Sequence, residues 1–540
     1  MLPVNFLMWG AAFAPIVVLI LLMVGFNWSA RKAAPISLAI AVLNGLLLYK
    51  ASFSMVLLEG AKGAWSALSV FFVILPAILI YEVTNEAKAF DVFRAGMQKF
   101  SPNELLQIIM VGWVFVSFLQ GITGFGVPVA VGAPLLIGIG LKPYYAVLIP
   151  LIAHAWGNTF GTLGLAWEAL VETSGVAASG GSTISLALWA CAFIWFFNAV
   201  GGFILCWLYG KAKAVKKGLP AVLLISLVHG GGQLLVSLFN PIIAAFIPAT
   251  LALVVAMLLG RSKLYNQAWR IEDTPCMERS PGLSTSQSDS SLAAEKMSLV
   301  QAFSPFIVLV LLTFIGLVIR PINNLLKQWM IGFSFPETTT GYGFSNPAIA
   351  KYAPIGPLVH AGTFLFLSAL AGYFYFRKHN FVKAGSMQKI FKRALKKAIP
   401  SITSVLLLLV MSKIMSGTGQ TDVLAEGTAM VLGKYYAALA PFIGVLGSFM
   451  TSSNMASNIL FGKFQAITAS SLGLNINSIL GAQTCGGAIG ASISPGNIVL
   501  ATTTAGIPGQ EGSVLRRTLP IALSLALIIG AVLLATVFFF

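Results

Sequence analysis

Charge is what this 540-residue chain has least of. Only 9% of its residues are Asp, Glu, Lys or Arg, while 57% are hydrophobic and the mean hydropathy is +0.89. A soluble surface is roughly 25–35% charged, so a string of water-exposed domains is excluded and a polytopic membrane protein remains. Acids are scarcer than bases: 16 Asp and Glu stand against 33 Lys and Arg, a net charge of +17. In a soluble protein that excess would suggest nucleic acid. In a membrane protein Lys and Arg collect in cytoplasmic loops, and no nucleic-acid partner is implied. Cysteine is rare as well. Cys191, Cys206, Cys276 and Cys485 are far apart with no CxxC pair, which supports neither a disulfide frame nor a zinc site. The sequence has no GxxxxGK[ST], HExxH or GxSxG, so neither an ATPase nor a membrane hydrolase is encoded. No enzyme activity, cofactor or metal is expected; energy comes from a gradient or a partner.

What is present is a succession of apolar runs. Stretches able to cross a hydrocarbon layer of ~30 Å, about 20 helical residues each, fall at 9–27, 36–57, 65–83, 144–168, 183–209, 221–238, 241–259, 301–320, 357–376, 398–416, 476–505 and 519–540. Two more, 105–141 and 435–473, are broken by Gly, Pro, Ser and Asn and read as hairpins that enter the membrane and turn back. The expected fold is therefore an all-α polytopic membrane protein of about 12 transmembrane helices plus two re-entrant helical hairpins. The run Ala11 to Phe26 has its basic residues, Arg31 and Lys32, behind it, so it reads as a retained span rather than a cleavable signal.

Arg31/Lys32, Lys211 to Lys217, Arg261 to Arg270, Arg377 to Lys397 and Arg516/Arg517 all fall on one side of that span list, the cytoplasmic side, with both termini outside. The outer segment 169–182 has no Lys or Arg. Residues 273–298 are polar and Ser-rich, a linker by composition.

An internal repeat is the most informative pattern. Ala89-Phe-Asp-Val-Phe-Arg-Ala-Gly96 resembles Gln420-Thr-Asp-Val-Leu-Ala-Glu-Gly427, placing Asp91 and Asp422 331 residues apart. Phe118 and Phe449 differ by 331 also, while Gly140-Leu141 and Gly473-Leu474, like Gly157 and Gly490, differ by 333. The span count puts Asp91 inside and Asp422 outside, so the copies face opposite compartments, as in inverted-repeat transporters. The expected organisation is accessory spans over 1–64, a first transport repeat with following spans over 65–260, a polar cytoplasmic linker over 261–300, connecting spans over 301–396 and a second, inverted transport repeat over 397–540.

Each repeat contains two interrupted segments: Gln120 to Pro128 and His154 to Gly164 in the first, Thr451 to Asn458 and Gly486 to Asn497 in the second. Unwound backbone at membrane depth survives only where protein or a water-filled cavity satisfies it. Four matched breaks therefore point to one central site. Half-helix N-termini there suit a small organic anion without a buried Arg, and Gln120, Thr123, Gly124, Gly126, Asn158, Thr159, Ser452, Ser453, Asn454, Ser492, Ser494 and Asn497 are the candidate binding residues. Small polar residues also pack transmembrane helices together, which is the competing reading of any one of them. His154 is the one intramembrane group expected to titrate near neutral pH and the candidate for proton coupling, against the alternative of a satisfied core histidine. Asp91 and Asp422 read as helix caps, and Glu82, Glu168 and Glu172 as span-end residues in contact with water.

At these residues the chain resembles the lactate permease family, carriers of lactate, glycolate and related 2-hydroxy monocarboxylates that are usually proton-coupled. The resemblance covers about residues 65–215 and 395–520 and rests on Phe90-Asp-Val-Phe-Arg94, Gly124-Phe-Gly-Val-Pro-Val129 followed by Gly138-Ile-Gly-Leu-Lys-Pro143, Ser457-Asn-Ile-Leu-Phe461, and Gly486-Gly through Ile493-Ser-Pro495. It departs from the family's pattern at Gln120, Asn454 and Ala491, neutral residues where a glutamate, an aspartate and a lysine are usual. A retuned, uncharged site follows.

The expectation is a multi-pass inner- or plasma-membrane carrier of L-lactate or glycolate by proton symport, with the lipid bilayer as surroundings and a homodimer compatible with it. A sodium-coupled carrier of another carboxylate or sulfonate, with Asn158, Asn454 and Ser453 around the ion, is the alternative; a passive anion channel ranks below it. A membrane enzyme would need a nucleophile and base that the sequence does not cluster.

Overall fold

The computed structural model describes residues 2–26, 28–124, 126–278 and 297–539. The chain is helical nearly throughout. Its first part runs through α1 (Phe6–Ile20), α2 (Ala30–Leu47), α3 (Phe53–Glu86), α4 (Ala89–Phe100), α5 (Glu104–Ile109), α6 (Val116–Ile122), α7 (Val127–Ile139), α8 (Pro143–Ala155), α9 (Gly161–Ser174), α10 (Thr183–Ser226), α11 (Gly232–Ser237) and α12 (Phe246–Arg261). A π-helical stretch, Met110–Phe115, joins α5 and α6 into one rod. The second part comprises α13 (Leu299–Ala302), α14 (Ser304–Thr313), α15 (Arg320–Leu326), α16 (Ala361–Lys378), α17 (Met387–Gly417), α18 (Gln420–Leu432), α19 (Tyr436–Thr451), α20 (Asn454–Ser471), α21 (Ile476–Ala491), α22 (Pro495–Thr504) and α23 (Glu511–Phe539). Among the described residues eight helices are long and apolar enough to cross a bilayer unaided, or nine with the bent pair Ser304–Val318 and Arg320–Leu326, at 84°, taken as one. The remaining expected spans are short or broken, which is why the count falls below the twelve read from composition. Large apolar side chains such as Leu223, Leu258 and Leu527 face outward, as a hydrocarbon-facing surface requires.

The two parts follow one order. α2 and α16 are each 18 residues long and begin 331 residues apart, and the first-turn acids Asp91 of α4 and Asp422 of α18 keep the same offset. The backbone repeats it too. Left-handed residues occur at Lys88 and Gly419, Gly140 and Gly473, Gly175 and Gly506, and Lys50 and Asn380, at offsets of 331, 333, 331 and 330. Such conformations are uncommon outside glycine, and they recur here at a nearly constant offset. Packing is exchanged between the parts: α2 lies on α17 and α16 on α3, while α9 packs on α20 and α22 on α7.

α3 and α17 run antiparallel. At one end Glu82 pairs with Arg393 at 2.9 Å and Lys397 at 2.5 Å, and Glu86 with Arg393 at 2.5 Å; at the other, Gly417 lies against Glu59. One turn of α3 from that end the backbones nearly touch, since a Cβ on Gly63 would fall 2.6 Å from Val410 Cα.

Two regions differ from the sequence reading. The stretch expected to hold only connecting spans contains antiparallel strands, β1 (Ile331–Phe335) paired with β4 (Ile349–Ile355) and β2 (Thr338–Thr339) with β3 (Ser345–Asn346). Aromatic and β-branched residues between polar turns favour pairing, and Phe333 packs on Trp65 of α3 at 4.7 Å. The expected linker is not loose at its start. Tyr265, Cys276 and Met277 are buried, and the chain pairs back through Lys142 N–H to Cys276 O and Glu278 N–H to Gly140 O, each 2.8 Å. Isolated apolar residues within a polar run are lost in a window average. Residues 279–296 of that linker lie outside the described residues.

Candidate substrate-binding site

Four helices begin at one place. α7 starts beyond left-handed Gly126, α20 beyond Ser453 and α22 beyond Ser494. α9 resumes at Leu165 after three consecutive left-handed residues, Thr162, Leu163 and Gly164. Residues at all four starts, namely Gly126, Leu165, Ser453 and Asn497, border one cavity of about 50 Å³. Two starts come from each part of the chain. Each start carries the partial positive charge of a helix N-terminus, and among the described residues no Asp, Glu, Lys or Arg lines the cavity. The electrostatics favour a small anion held by dipoles.

Gln120, Gly126, His154, Asn158, Ser452, Ser453, Asn454 and Asn497 all lie on this cavity. Asn158 donates through Nδ2 to Ala155 O at 2.9 Å, so its Oδ1 accepts from Gln120 Nε2 at 2.8 Å. That leaves Gln120 Oε1 buried without a donor among the described residues, and Asn454 Oδ1 is in the same condition. The break bears directly on Gln120, because a Cβ on Gly161 would sit 2.7 Å from the Gln120 carbonyl oxygen. Ser453 caps α20, accepting from Ala456 N–H at 3.3 Å, and Ser452 Oγ accepts from Gly496 N–H of α22 at 3.1 Å, tying the hairpin tip to the second broken span. His154 directs Nδ1 to Pro150 O at 2.9 Å in its own helix.

The other candidates stand apart from the cavity lining. The hydroxyls of Thr123, Ser492 and Ser494 bond carbonyls of their own segments, Leu119 O, Ile489 O and Ala491 O. Gly124 packs against Thr162 Oγ1. Thr159 is one step behind the wall, within 3.0 Å of Thr484 Oγ1 and accepting from Asn454 Nδ2 at 3.1 Å. Thr484 was missed from sequence although it gathers Thr159, Asn454 and Asn458, the last at 3.0 Å. The adjacent polar pair Gln483-Thr484 inside an apolar span was the available signal. Gly161, Thr162, Leu165, Ala166 and Met455 also line the cavity; only their neighbours had been singled out.

Ser452, Ser453, Met455 and Asn497 also border a wider vestibule of about 1100 Å³, whose wall includes Arg31 and Lys32 of α2 and Pro400 to Leu408 of α17. The central cavity thus adjoins a space with two cations in its wall.

A family model described as L-lactate permease matches residues 10–540. The chain belongs to the L-lactate permease family. Membership makes it a multi-pass cell-membrane permease, a transporter rather than an enzyme, and extends the resemblance beyond the two segments on which it was first read. This permease is 26% identical to the L-lactate permease of Halalkalibacterium halodurans over 518 residues, 96% of this chain and 94% of that one. It is 26% identical to the glycolate permease GlcA of Escherichia coli, over 98% of this chain and 95% of that one, and 26% identical to the L-lactate permease of the same organism, over 96% and 94%. Among solved structures, the YdaH transporter of Alcanivorax borkumensis shares 14% identity over 86% of this permease and 84% of that chain, at a TM-score of 0.41.

Proposed function

We propose that this permease carries a small 2-hydroxy monocarboxylate, L-lactate or glycolate, by proton symport, with two inverted repeats alternating access to the central cavity. The observation that carries the reading is the meeting of four helix starts, two from each part, around a cavity without formal charge. A carboxylate is matched by N–H dipoles, and a 2-hydroxyl supplies the donor that the carbonyl oxygens of Gln120 and Asn454 lack. The two relatives named for lactate and the one named for glycolate support that substrate class. Among the described residues His154 is the titratable side chain on the cavity.

Inversion of the repeats is supported by the antiparallel packing of α3 on α17, two helices that occupy the same place in their halves. If both span the bilayer, equivalent helices running in opposite directions place the copies upside down to each other. The repeat then takes in α2 and α16 as well, wider than the boundaries read from sequence. The vestibule with Arg31 and Lys32 supports a conformation open toward the basic, cytoplasmic side.

A second reading, sodium symport, is favoured by the same unpartnered oxygens of Gln120 and Asn454, with Asn158 and Ser453 beside them. The deciding experiment is uptake of labelled L-lactate and glycolate into proteoliposomes under an imposed pH gradient and then a sodium gradient, with competing carboxylates and sulfonates. Accumulation driven by the pH gradient is expected. Accumulation driven only by sodium selects the second reading, and uptake indifferent to both gradients overturns coupled transport.

A further inference from the structure

Beyond the central cavity, α9 continues into a second space. Leu165 and Ala166 line the first cavity, whereas Trp167, Glu168 and Glu172 line another of about 400 Å³, walled also by Ser66 of α3 and by His360. Ala166 and Trp167 are consecutive residues of α9, so the two cavities adjoin along that helix at the Leu165–Trp167 layer. The segment just before that layer is strained: Thr162 and Leu163 both hold φ near +50°, a conformation unfavourable for branched side chains. Such strain clusters at functional sites and ligand clamps.

Of the two carboxylates that line the second cavity, one is paired and one is not. Glu172 is held by Lys413 of α17 at 3.3 Å, by the Ser66 hydroxyl and by the Tyr352 hydroxyl of β4 at 3.5 Å. Glu59 and Lys62 of α3 pair with each other at 2.6 Å. His360 uses Nε2 on Ser69 Oγ at 3.0 Å and accepts from Gly362 N–H at Nδ1. Among the other elements packed on α9, α6 and the 241–243 turn contribute no titratable group, α21 contributes Cys485, and α20 contributes Lys463, which is engaged with Ser416 and Asp422. Glu168 has no ion-pair or hydrogen-bond partner among the described residues, and it stands one turn before Glu172 on the same face.

We infer that the second cavity is the outer vestibule for the substrate anion and that Glu168 admits the anion only when its carboxylate carries a proton. The inference rests on the carboxylate-transport reading and adds to it a residue that sets the dependence on outer pH, whichever ion drives accumulation. An ionised Glu168 leaves the vestibule with a net negative charge, in a partly desolvated space where like charges repel strongly. A proton taken from hydronium in the vestibule, leaving water, makes the wall neutral, and a carboxylate then reaches the Leu165–Trp167 layer. The substrate and an acidic outer solution therefore act together at this point. In the sequence Glu168 had been read as a span-end residue explained by water alone.

The test is initial uptake of labelled L-lactate into proteoliposomes at fixed inner pH while outer pH is varied from 5 to 8. Wild-type uptake is expected to fall as the outer solution becomes alkaline. Glu168→Gln should flatten the profile, keeping only the fall that the shrinking proton gradient imposes, and exceed the wild-type rate at outer pH 8 by about fivefold or more. A Glu168→Gln profile that coincides with wild type overturns the inference. If the Gln variant does not insert, Glu168→Asp decides: it should retain a pH dependence with a displaced midpoint, and an unchanged midpoint overturns the inference. Absence of lactate or glycolate transport by the wild type at every pH would instead overturn the proposed function.

Discussion

Asn454 Nδ2, at the tip of the second hairpin, donates to Thr159 Oγ1 in the broken span of the other half at 3.1 Å, and reaches Thr484 Oγ1 at 3.3 Å. One amide thus fixes the hairpin tip to both broken segments beside the cavity. Asn454→Ala removes the amide from Thr159, leaves Thr484 only Asn458 Nδ2 at 3.0 Å, and deletes the unpartnered Oδ1; a lost buried hydrogen-bonding group costs about 1–3 kcal/mol, which corresponds to roughly tenfold in affinity or more. Calorimetric binding of L-lactate to the detergent-solubilised permease should weaken accordingly, and Asn158→Ala should do the same by releasing Gln120. Wild-type affinity in both variants, at normal expression, would remove the proposed site.

Lys50 and Asn380 are exposed left-handed turn residues 330 positions apart, at equivalent places in the proposed repeats. Single cysteines at these positions should react with a membrane-impermeant maleimide from opposite faces of right-side-out vesicles, and cysteines at 91 and 422 should show the same polarity. The four native cysteines are all buried, so background labelling is expected to be low. Labelling of both members of a pair from one face would contradict the inverted arrangement.

Arg31 and Lys32 are exposed at the wall of the large vestibule. Exposed charges act over about a Debye length, ~10 Å at 0.1 M salt, and raise the local concentration of a counter-ion. The double variant Arg31→Ala, Lys32→Ala should slow lactate efflux from preloaded vesicles by about two- to tenfold at low ionic strength. At 0.5 M salt the difference should largely vanish. A deficit that persists at high salt would point to a packing defect instead.

Glu82 has a side chain only 1% exposed, while its partners Arg393 and Lys397 are 42% and 54% exposed. Breaking a fully buried pair costs ~3–5 kcal/mol, but half-exposed cations recover hydration and the pairs are screened. Glu82→Gln is therefore expected to lower stability by only about 1–2 kcal/mol, seen as a drop of a few degrees in the thermal transition of the purified protein. Loss greater than Glu82→Ala would show that the carboxylate charge is not what holds α3 to α17.

Composition alone settled the membrane class, because a chain with 9% charged residues has no means of covering itself with water-compatible surface. The breaks at Gln120 to Pro128, His154 to Gly164, Thr451 to Asn458 and Gly486 to Asn497 were legible for a local reason: Gly, Pro, Ser and Asn interrupt helices wherever they cluster. The recurring offset was legible because left-handed turns favour the same residues, glycine above all. What the sequence withheld depends on distance in space rather than along the chain. Whether a hydroxyl faces a cavity or bonds its own helix, as at Ser492 and Ser494, follows from side-chain direction and neighbouring helices. That Thr484 joins Asn454, Asn458 and Thr159, and that Lys413 neutralises Glu172 but leaves Glu168 alone, were decided only by tertiary packing. Coulomb and hydrogen-bond energies fall off within a few ångströms, and no spacing in the string encodes which residues, hundreds of positions apart, arrive within that range.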